Sequence, residues 1–226
     1  MGTPVVEARA LVKSYGVTPV LRGVNLQIEA GEAVLVYGRN GSGKSTLVKL
    51  LAGLGAPGGG EALLFGSPSY HAPAEMRRRI GLLTHQSFLY PNLTARENLQ
   101  FFASLYDVHD SDARIDRSLE AIGLTAAADE RVRGFSRGME QRLALVRALL
   151  PSPDVLLTDE PFTALDPEGV ERAGALMEQA LARGCGMIMT AHEARSPLMM
   201  PITFRHLVRG RLVEETAARD DTAATP

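Results

Sequence analysis

One short stretch limits what this chain can fold into more than any other. Residues 38–45 read Gly-Arg-Asn-Gly-Ser-Gly-Lys-Ser, which matches the phosphate-loop pattern G-x-x-x-x-G-K-[ST]. An apolar run at 33–37 precedes the loop, and a helix-like run from Thr46 to Leu54 follows it. Glycines let successive amide groups and a helix N-terminus converge on phosphate oxygens. We therefore expect this loop to bind a nucleoside triphosphate.

The residues of the loop have separate expected roles. Lys44 would reach the β- and γ-phosphates, and Ser45 would bind Mg²⁺. A glycine-rich turn without a chemical role is the alternative, but such a turn does not require the strand and helix patterns on its two sides. The other expected nucleotide contacts are Gly38, Arg39, Asn40, Gly41, Ser42, Gly43 and Thr46.

Length and charge exclude several classes of protein. The 226 residues suffice for one α/β domain with an embedded subdomain. A formal net charge of −2 is unlike the strongly basic surface of nucleic-acid-binding domains, so we expect no nucleic acid partner. No apolar run approaches the roughly 18 residues that a membrane-spanning helix needs. We expect a cytoplasmic protein without direct membrane insertion, which reaches a membrane only through a partner.

Strand-like and helix-like patterns alternate along the chain, which predicts an α/β fold with a parallel sheet between helices. Between 93 and 150 the patterns are helical only, which indicates a helical subdomain. Residues 67–79 are expected to be irregular. The predicted strands are 5–11, 24–28, 33–37, 61–65, 80–84, 155–158 and 187–190, and the predicted helices are 46–54, 94–106, 111–122, 136–150 and 167–183.

Two carboxylates, Asp159 and Glu160, come directly after the apolar strand pattern 155–158. Ligands of open α/β sheets bind at the carboxyl ends of the strands. Asp159 is suited to hold Mg²⁺ through water, and Glu160 to orient or deprotonate the water that attacks the γ-phosphate. A solvated pair of acids at the start of a loop is the alternative interpretation.

Further segments resemble the motifs of ATP-binding cassette (ABC) ATPases, in the order of that family. Gln86 follows a predicted strand as in the Q-loop, and residues 135–142, Phe-Ser-Arg-Gly-Met-Glu-Gln-Arg, are similar to the signature L-S-G-G-Q-Q-Q-R. Residues 164–166, Ala-Leu-Asp, resemble the D-loop, and His192 follows a strand as in the switch region. Taken singly, Gln86 could be a surface loop residue, His192 a helix cap and Asp166 an N-cap before proline.

This resemblance implies a fold and a domain organisation. It covers Tyr15 to about Leu212 and implies an α/β P-loop NTPase of ABC ATPase type. Such a fold has a mostly parallel core sheet, an antiparallel β subdomain and an inserted helical subdomain. We expect a single ABC ATPase domain over 1–213, with the helical subdomain at about 87–150. Residues 214–226 are expected to form a flexible tail.

The resemblance also implies a head-to-tail dimer of two copies that encloses two ATP molecules. One subunit would supply the phosphate loop, and the other would present Ser136 and Gly138 at a helix N-terminus. Tyr15 would stack on the adenine. Arg137 replaces the usual glycine of the signature, and we expect it to be tolerated rather than catalytic. Catalytic roles fall to Lys44, Gln86, Glu160 and His192, and Mg²⁺ ligation to Ser45, Gln86 and Asp159.

A narrower resemblance concerns the transported substrate. Residues 85–102 are similar to the ATP-binding subunit of the haem exporter used in cytochrome c maturation, as are 135–139 and 159–163. This implies an ATPase on the inner face of the cell membrane, held there by an integral membrane subunit. Other small exporters, of drug, lipid or polysaccharide type, and a soluble ABC ATPase of iron–sulfur cluster assembly are alternatives. The proline-bracketed segment 197–201 is either an apolar loop packed on the domain or part of a partner-binding surface.

Overall fold

The computed structural model describes residues 4–213, whose strands form two sheets. In chain order the strands are β1 (Val6–Tyr15), β2 (Thr18–Ile28), β3 (Ala33–Tyr37), β4 (Gly59–Leu64), β5 (Ser67–Pro68), β6 (Ile80–Leu83), β7 (Val155–Asp159), β8 (Gly186–Ala191), β9 (Thr203–Val208) and β10 (Arg211–Val213). The α-helices are α1 (Lys44–Leu51), α2 (Ala74–Arg78), α3 (Ala95–Leu105), α4 (Ser111–Ala121), α5 (Arg137–Leu149) and α6 (Pro167–Ala182).

The core sheet has the strand order β10-β9-β3-β8-β7-β6. All neighbours from β9 to β6 are parallel, and β10 pairs antiparallel with β9. Strands β3 and β7 are continuous apolar runs because both of their faces are covered. The carboxyl ends of the parallel strands meet at one edge, where the phosphate loop leaves β3 and Asp159 ends β7. The sheet thus brings the two predicted halves of a nucleotide site together.

The second sheet is antiparallel, with the order β2-β1-β4-β5. Its apolar face and α1 enclose one hydrophobic core, and α3 to α6 enclose another on the far face of the core sheet. Strand β8 divides its side chains between the two, because successive side chains point to opposite faces. Met187 and Met189 belong to the helical side, and Ile188 belongs to the side of α1. This agrees with the predicted fold class.

Helices α3, α4 and α5 lie between β6 and β7 in the chain. Each contributes fully buried leucine or isoleucine, such as Leu99, Ile115 and Leu143, to one core. Helix α3 begins with a capping box, in which Thr94 accepts from the Glu97 amide and the Glu97 carboxylate accepts from the Thr94 amide. These helices match the predicted ones within two residues at each end.

The structure differs from the sequence predictions in several places. Strand β1 runs to Tyr15 rather than Leu11, β2 begins at Thr18 rather than Val24, and α1 spans Lys44–Leu51 rather than 46–54. The segment 67–79, expected to be irregular, contains β5, a 3₁₀ turn at Ser69–His71 and α2. Strands β9 and β10 were not predicted at all. They follow the segment 197–201, which is irregular, with Leu198 buried beside α6 and Met199 exposed.

Two expectations concern membranes and the end of the chain. Within residues 4–213 there is no helix with the length and apolarity required to cross a membrane. The expected flexible tail, 214–226, lies outside the described residues.

Candidate functional site

The phosphate loop leaves β3 at Gly38, passes over an exposed tip at 39–41 and enters α1 at Lys44. Gly43 has a φ of 109°, and a Cβ there would lie 2.8 Å from Leu21 Cδ2 and 3.1 Å from Val20 O. Only glycine fits both the left-handed backbone and this close approach of β2. The α1 N-terminus therefore points its free amides out of the sheet edge, with Ser45 and Thr46 in its first turn.

Lys44 is folded back into the loop. Its side chain is 5% exposed, and Nζ donates to Gly38 O at 2.7 Å and lies 3.8 Å from Glu160 Oε1. The other carboxylate oxygen of Glu160 lies 3.0 Å from His192 Nε2. Three predicted catalytic residues, from α1, the end of β7 and the end of β8, thus meet around one carboxylate. The ammonium group of Lys44 and the imidazole of His192 thus lie beside the two oxygens of one nearly buried carboxylate.

Asp159 is held by a side chain that sequence reasoning did not single out. Thr190 Oγ1 donates to Asp159 Oδ1 at 2.6 Å and accepts from the Glu160 amide at 3.0 Å. Asp159 is 2% exposed, and its Oδ2 is buried without a hydrogen-bond partner. A buried carboxylate oxygen without a donor is costly unless a cation binds it. This orphaned atom fits the expected role of Asp159 at a Mg²⁺ ion.

Gln86 and its neighbour His85 occupy different places. Gln86 is exposed, and Thr84 Oγ1 bonds its backbone amide and carbonyl. The side chain beside the carboxylates is His85, whose Nε2 lies 3.4 Å from Asp159 Oδ2. One ligand atom each from His85, Asp159 and Glu160 lie within 4.8 Å of one another, which is close enough for a shared cation. Gln86 would have to turn inward to bind the same ion.

The helix that carries the signature resemblance begins beside these carboxylates. A cavity of about 310 Å³ has Glu160 and His85 on one side and Arg137 on the other. Gln141 Nε2 donates to the backbone of Pro161 at 3.1 Å, and Ser87 Oγ donates to Glu140 at 2.6 Å. Helix α5 is therefore tied both to the loop after β6 and to the loop after β7.

The first residues of α5 face outward. Ser136 is the N-cap of the helix and accepts from the Met139 amide at 3.2 Å, yet its side chain is exposed. Gly138 packs on the loop after β7, because a Cβ there would lie 2.9 Å from Ala164 O. Neither residue lines the cavity of its own chain. Ser136 is open to a second molecule, whereas Gly138 is partly covered.

Tyr15 ends β1 at the turn of the β1–β2 hairpin and is 56% exposed. Since Val20 of the same hairpin packs on Gly43, the hairpin lies next to the phosphate loop. The Tyr15 ring contacts Lys13, whose Nζ is 5.5 Å from the ring centroid. An exposed aromatic ring at this position is free to stack on a base.

Two functional neighbours escaped the sequence analysis. Thr190 lies in the apolar strand pattern 187–190, where a hydroxyl indicates a polar partner on a neighbouring strand. His85 follows the strand pattern 80–84 directly, and a polar side chain at a strand end is a candidate site residue in the same way as Gln86. The pairing of β7 with β8, which sets Asp159 opposite Thr190, supplies the missing information.

Comparison with known proteins places this site in a family. The family model described as ABC transporter matches residues 21–163. The ABC transporter ATP-binding protein YcbN of Bacillus subtilis is 34% identical over 220 residues, which cover 96% of this chain and 71% of YcbN. The Nod factor export ATP-binding protein I of Rhizobium meliloti is 36% identical over 192 residues, 84% of this chain, and the match spans 57% of that relative.

A solved structure shares the fold. The ATP-binding cassette MJ0796, solved as a dimer in a post-hydrolysis state with ADP and Pi, superposes with a TM-score of 0.80 at 26% identity. The match covers 92% of this chain and 96% of that one. The chain therefore belongs to the ABC transporter family and is an ATP-binding ABC ATPase.

Proposed function

We propose that this chain is the ATP-hydrolysing subunit of a membrane exporter. The observation that carries the proposal is the position of Glu160, between Lys44 and His192 and beside the Asp159 oxygen that accepts no hydrogen bond. Export is supported by the relative named for Nod factor export. The chain spans little more than half of that relative, so the transport role is inferred from the shared part.

The hydrolytic site would work as follows. Lys44 exchanges Gly38 O for the β- and γ-phosphates, which frees Glu160 from the nearby ammonium group. Glu160 then orients the attacking water and accepts its proton. His192 holds the second carboxylate oxygen and so fixes the direction of the base. A Mg²⁺ ion bound by Ser45, Gln86 and Asp159 would neutralise phosphate charge.

A complete site would need a second copy of the chain. Ser136 is exposed and Gly138 is half-buried at the start of α5, a helix whose N-terminal amides attract anions. In the head-to-tail dimer that we propose, they face the γ-phosphate bound by the partner's phosphate loop, and Tyr15 stacks on the adenine. The dimeric state of MJ0796 supports this arrangement.

We assign the contact with a membrane subunit to an exposed aromatic patch, defined as Phe88, Tyr90 and Phe101. These side chains are 40%, 47% and 42% exposed, and the Tyr90 and Phe101 rings pack edge to face at 4.9 Å. Aromatic residues are enriched in interface cores. Leu89, in contrast, is 8% exposed and belongs to the core, so it would not serve as a docking residue.

Several finer assignments go with this proposal. The chain would be one ATPase domain over 1–213, with a helical subdomain at about 87–150, and would sit in the cytoplasm on the inner face of the membrane. Haem is the substrate that the segment 85–102 favours, by its resemblance alone. The alternatives are another small exporter of drug, lipid or polysaccharide type, or an ATPase of iron–sulfur cluster assembly.

Co-purification from gently solubilised membranes tests the proposal. Tyr90→Ser combined with Phe101→Ser should abolish recovery of the integral membrane subunit while ATP still binds. Tyr70→Ser is the matched control, because Tyr70 is 46% exposed outside the patch. Recovery of no membrane protein with the parent chain would favour the iron–sulfur alternative.

For haem, deletion of the gene should remove c-type cytochromes from haem-stained gels, and unchanged cytochromes would exclude that substrate.

A further inference from the structure

A second cavity lies on the helical side of the core sheet. It has a volume of about 370 Å³ and is enclosed by α4, the C-terminal half of α5 and the C-terminal half of α6. This volume is in the range of sites for small organic ligands. None of its lining residues belongs to the nucleotide site described above. The cavity is therefore separate from the nucleotide site.

The rim of the cavity is basic and its floor is apolar. Arg114 and Arg117 of α4 and Arg183 at the end of α6 form the rim. The floor includes Val146 and Leu149 of α5 and Leu176 of α6. The residues that α4 turns toward the cavity are spaced at positions i, i+3, i+4 and i+7, namely Arg114, Arg117, Ser118 and Ala121.

The acidic residues of α4 point elsewhere. Asp116 pairs with Arg96 of α3 at 2.6 Å, on another side of the helix. No aspartate or glutamate lines the cavity among the described residues. In a chain whose formal net charge is −2, three guanidinium groups thus share a cavity without a counter-charge.

The three arginines make few internal contacts, and none of these is with a carboxylate of the described residues. Arg114 bonds the Ser152 hydroxyl, and Arg117 Nε donates to Ala113 O at 3.1 Å. Arg183 has no acidic partner among residues 4–213. Burial, together with repulsion from Arg183 and Arg117, lowers the pKa of Arg114. Most donors of these guanidinium groups remain available for an anion.

We propose that this cavity, with Arg114, Arg117 and Arg183 around an apolar floor, binds a phosphate ester that carries a short apolar group. Guanidinium groups bind phosphate oxygens through paired, charge-assisted hydrogen bonds. The floor takes the apolar group, because its burial removes nonpolar surface from water. The ester comes either from a soluble metabolite or from the headgroup region of an anionic phospholipid.

Calorimetric titration of the full chain with dihexanoyl phosphatidic acid tests the proposal. A non-hydrolysable ATP analogue in excess fills the phosphate loop in every sample. The test variant combines Arg114→Gln, Arg117→Gln and Arg183→Gln. Its control combines Arg22→Gln, Arg209→Gln and Arg211→Gln, which removes the same charge from exposed positions outside the cavity. We expect the test variant to lose affinity on the order of a hundredfold, since it loses several charge-assisted bonds, and the control to match the parent.

Two further measurements identify the source of the ester and test the role of the apolar floor. Sedimentation with phosphatidylglycerol vesicles, lost in the test variant and kept in the control, assigns the ester to lipid, and loss of the soluble ester alone assigns it to a metabolite. Inorganic phosphate should bind about tenfold or more weakly than the ester, because it leaves the floor empty. Equal affinities of parent and test variant, no binding by the parent, or equal affinity for inorganic phosphate would each overturn the proposal. Because every sample keeps the phosphate loop, failure here leaves the ATPase assignment intact.

Discussion

Glu160 is fixed by its backbone as well as by its side chain. Its φ is 55°, a left-handed value that non-glycine residues rarely adopt. The Thr190 hydroxyl holds its amide, while Lys44 and His192 lie at its two carboxylate oxygens. Strained backbone of this kind persists where the surroundings over-determine it, often at active sites. This geometry suits a catalytic base whose carboxylate must keep a fixed orientation.

The substitution Glu160→Gln tests that role. It keeps the shape of the side chain and removes the charge, so ATP should still bind while turnover falls on the order of a hundredfold or more. An ATP-bound dimer should then accumulate in size-exclusion chromatography. Glu193→Gln is the control, since Glu193 is an exposed neighbour of His192 and should leave turnover unchanged. Turnover of the Glu160 variant within about threefold of the parent would show that another group is the base.

A second prediction concerns Thr190. Thr190→Val keeps the shape but leaves Asp159 Oδ1 and the Glu160 amide without their partner. We expect the free energy of unfolding to fall by about 1–3 kcal/mol, together with a loss of ATPase activity. Thr158→Val is the matched control, because that buried hydroxyl makes one long contact, 3.4 Å to Ile188 O. Equal stabilities of the two variants in denaturant titration would contradict the role assigned to Thr190.

At the scale of elements, one buried amide organises the loop that carries the aromatic patch. Asn98 of α3 is fully buried, and its Oδ1 accepts from the Tyr90 amide at 2.7 Å. Its Nδ2 donates to Tyr90 O at 3.1 Å and to Thr94 O at 2.9 Å. The Asn98 side chain therefore holds the chain at 90–94 on α3, in addition to the backbone bonds that Leu93 and Pro91 accept from 132–133.

Asn98→Leu should release this loop. The variant leaves the Tyr90 amide without its acceptor, at a cost of about 1–3 kcal/mol, while Tyr90 O keeps only the Leu93 amide as a donor. We expect a lowered thermal midpoint and faster amide exchange at 90–94. Asn92→Leu, on the exposed tip of the same loop, should change stability by no more than about 0.5 kcal/mol. Unchanged exchange in Asn98→Leu would mean that the backbone bonds to 132–133 and the aromatic packing hold the loop without Asn98.

Arg147 ties α5 to the core sheet in a similar way. It is 5% exposed, donates to Leu82 O at the end of β6, and lies 5.5 Å from the Phe88 ring and 5.4 Å from the Phe102 ring. Burial lowers the pKa of Arg147 to about 10, so the side chain stays charged at neutral pH. One buried cation therefore contacts both Phe88 of the aromatic patch and the backbone of β6.

Sequence patterns predicted the elements that are determined by residues close together in the sequence. The phosphate loop, Asp159 and Glu160 follow from motif and position, and α3 from its helical sequence pattern. Strand β9 depends on pairing with β3, which no neighbouring residue encodes, and the prolines at 197 and 201 obscured its start. His85 and Thr190 join the site through strand order. Sequence patterns specify the pieces of the site, and only the assembled sheet specifies which pieces touch.

At the scale of the whole molecule, the central question is whether one chain completes another's site. By our proposal, Lys44 serves the nucleotide on its own chain, whereas the exposed Ser136 serves the nucleotide of the partner. Lys44→Ala should prevent nucleotide binding. Ser136→Asp keeps a good N-cap for α5 but adds a carboxylate where the partner's γ-phosphate would lie. Each variant alone should therefore be inactive, and Ser136→Asn, which caps without the charge, should retain activity.

Mixing the two inactive variants distinguishes a composite site from a self-contained one. In a head-to-tail dimer of one Lys44→Ala chain and one Ser136→Asp chain, one site carries both defects and the other carries none. Random exchange makes about half of the dimers mixed, so turnover should return to about a quarter of the parent value when the two symmetric sites act independently. A mixture as inactive as its components, with mixed dimers shown by tagged pull-down, would mean that Ser136 acts within its own chain. Recovery would place the ATPase site of this molecule between two copies of it.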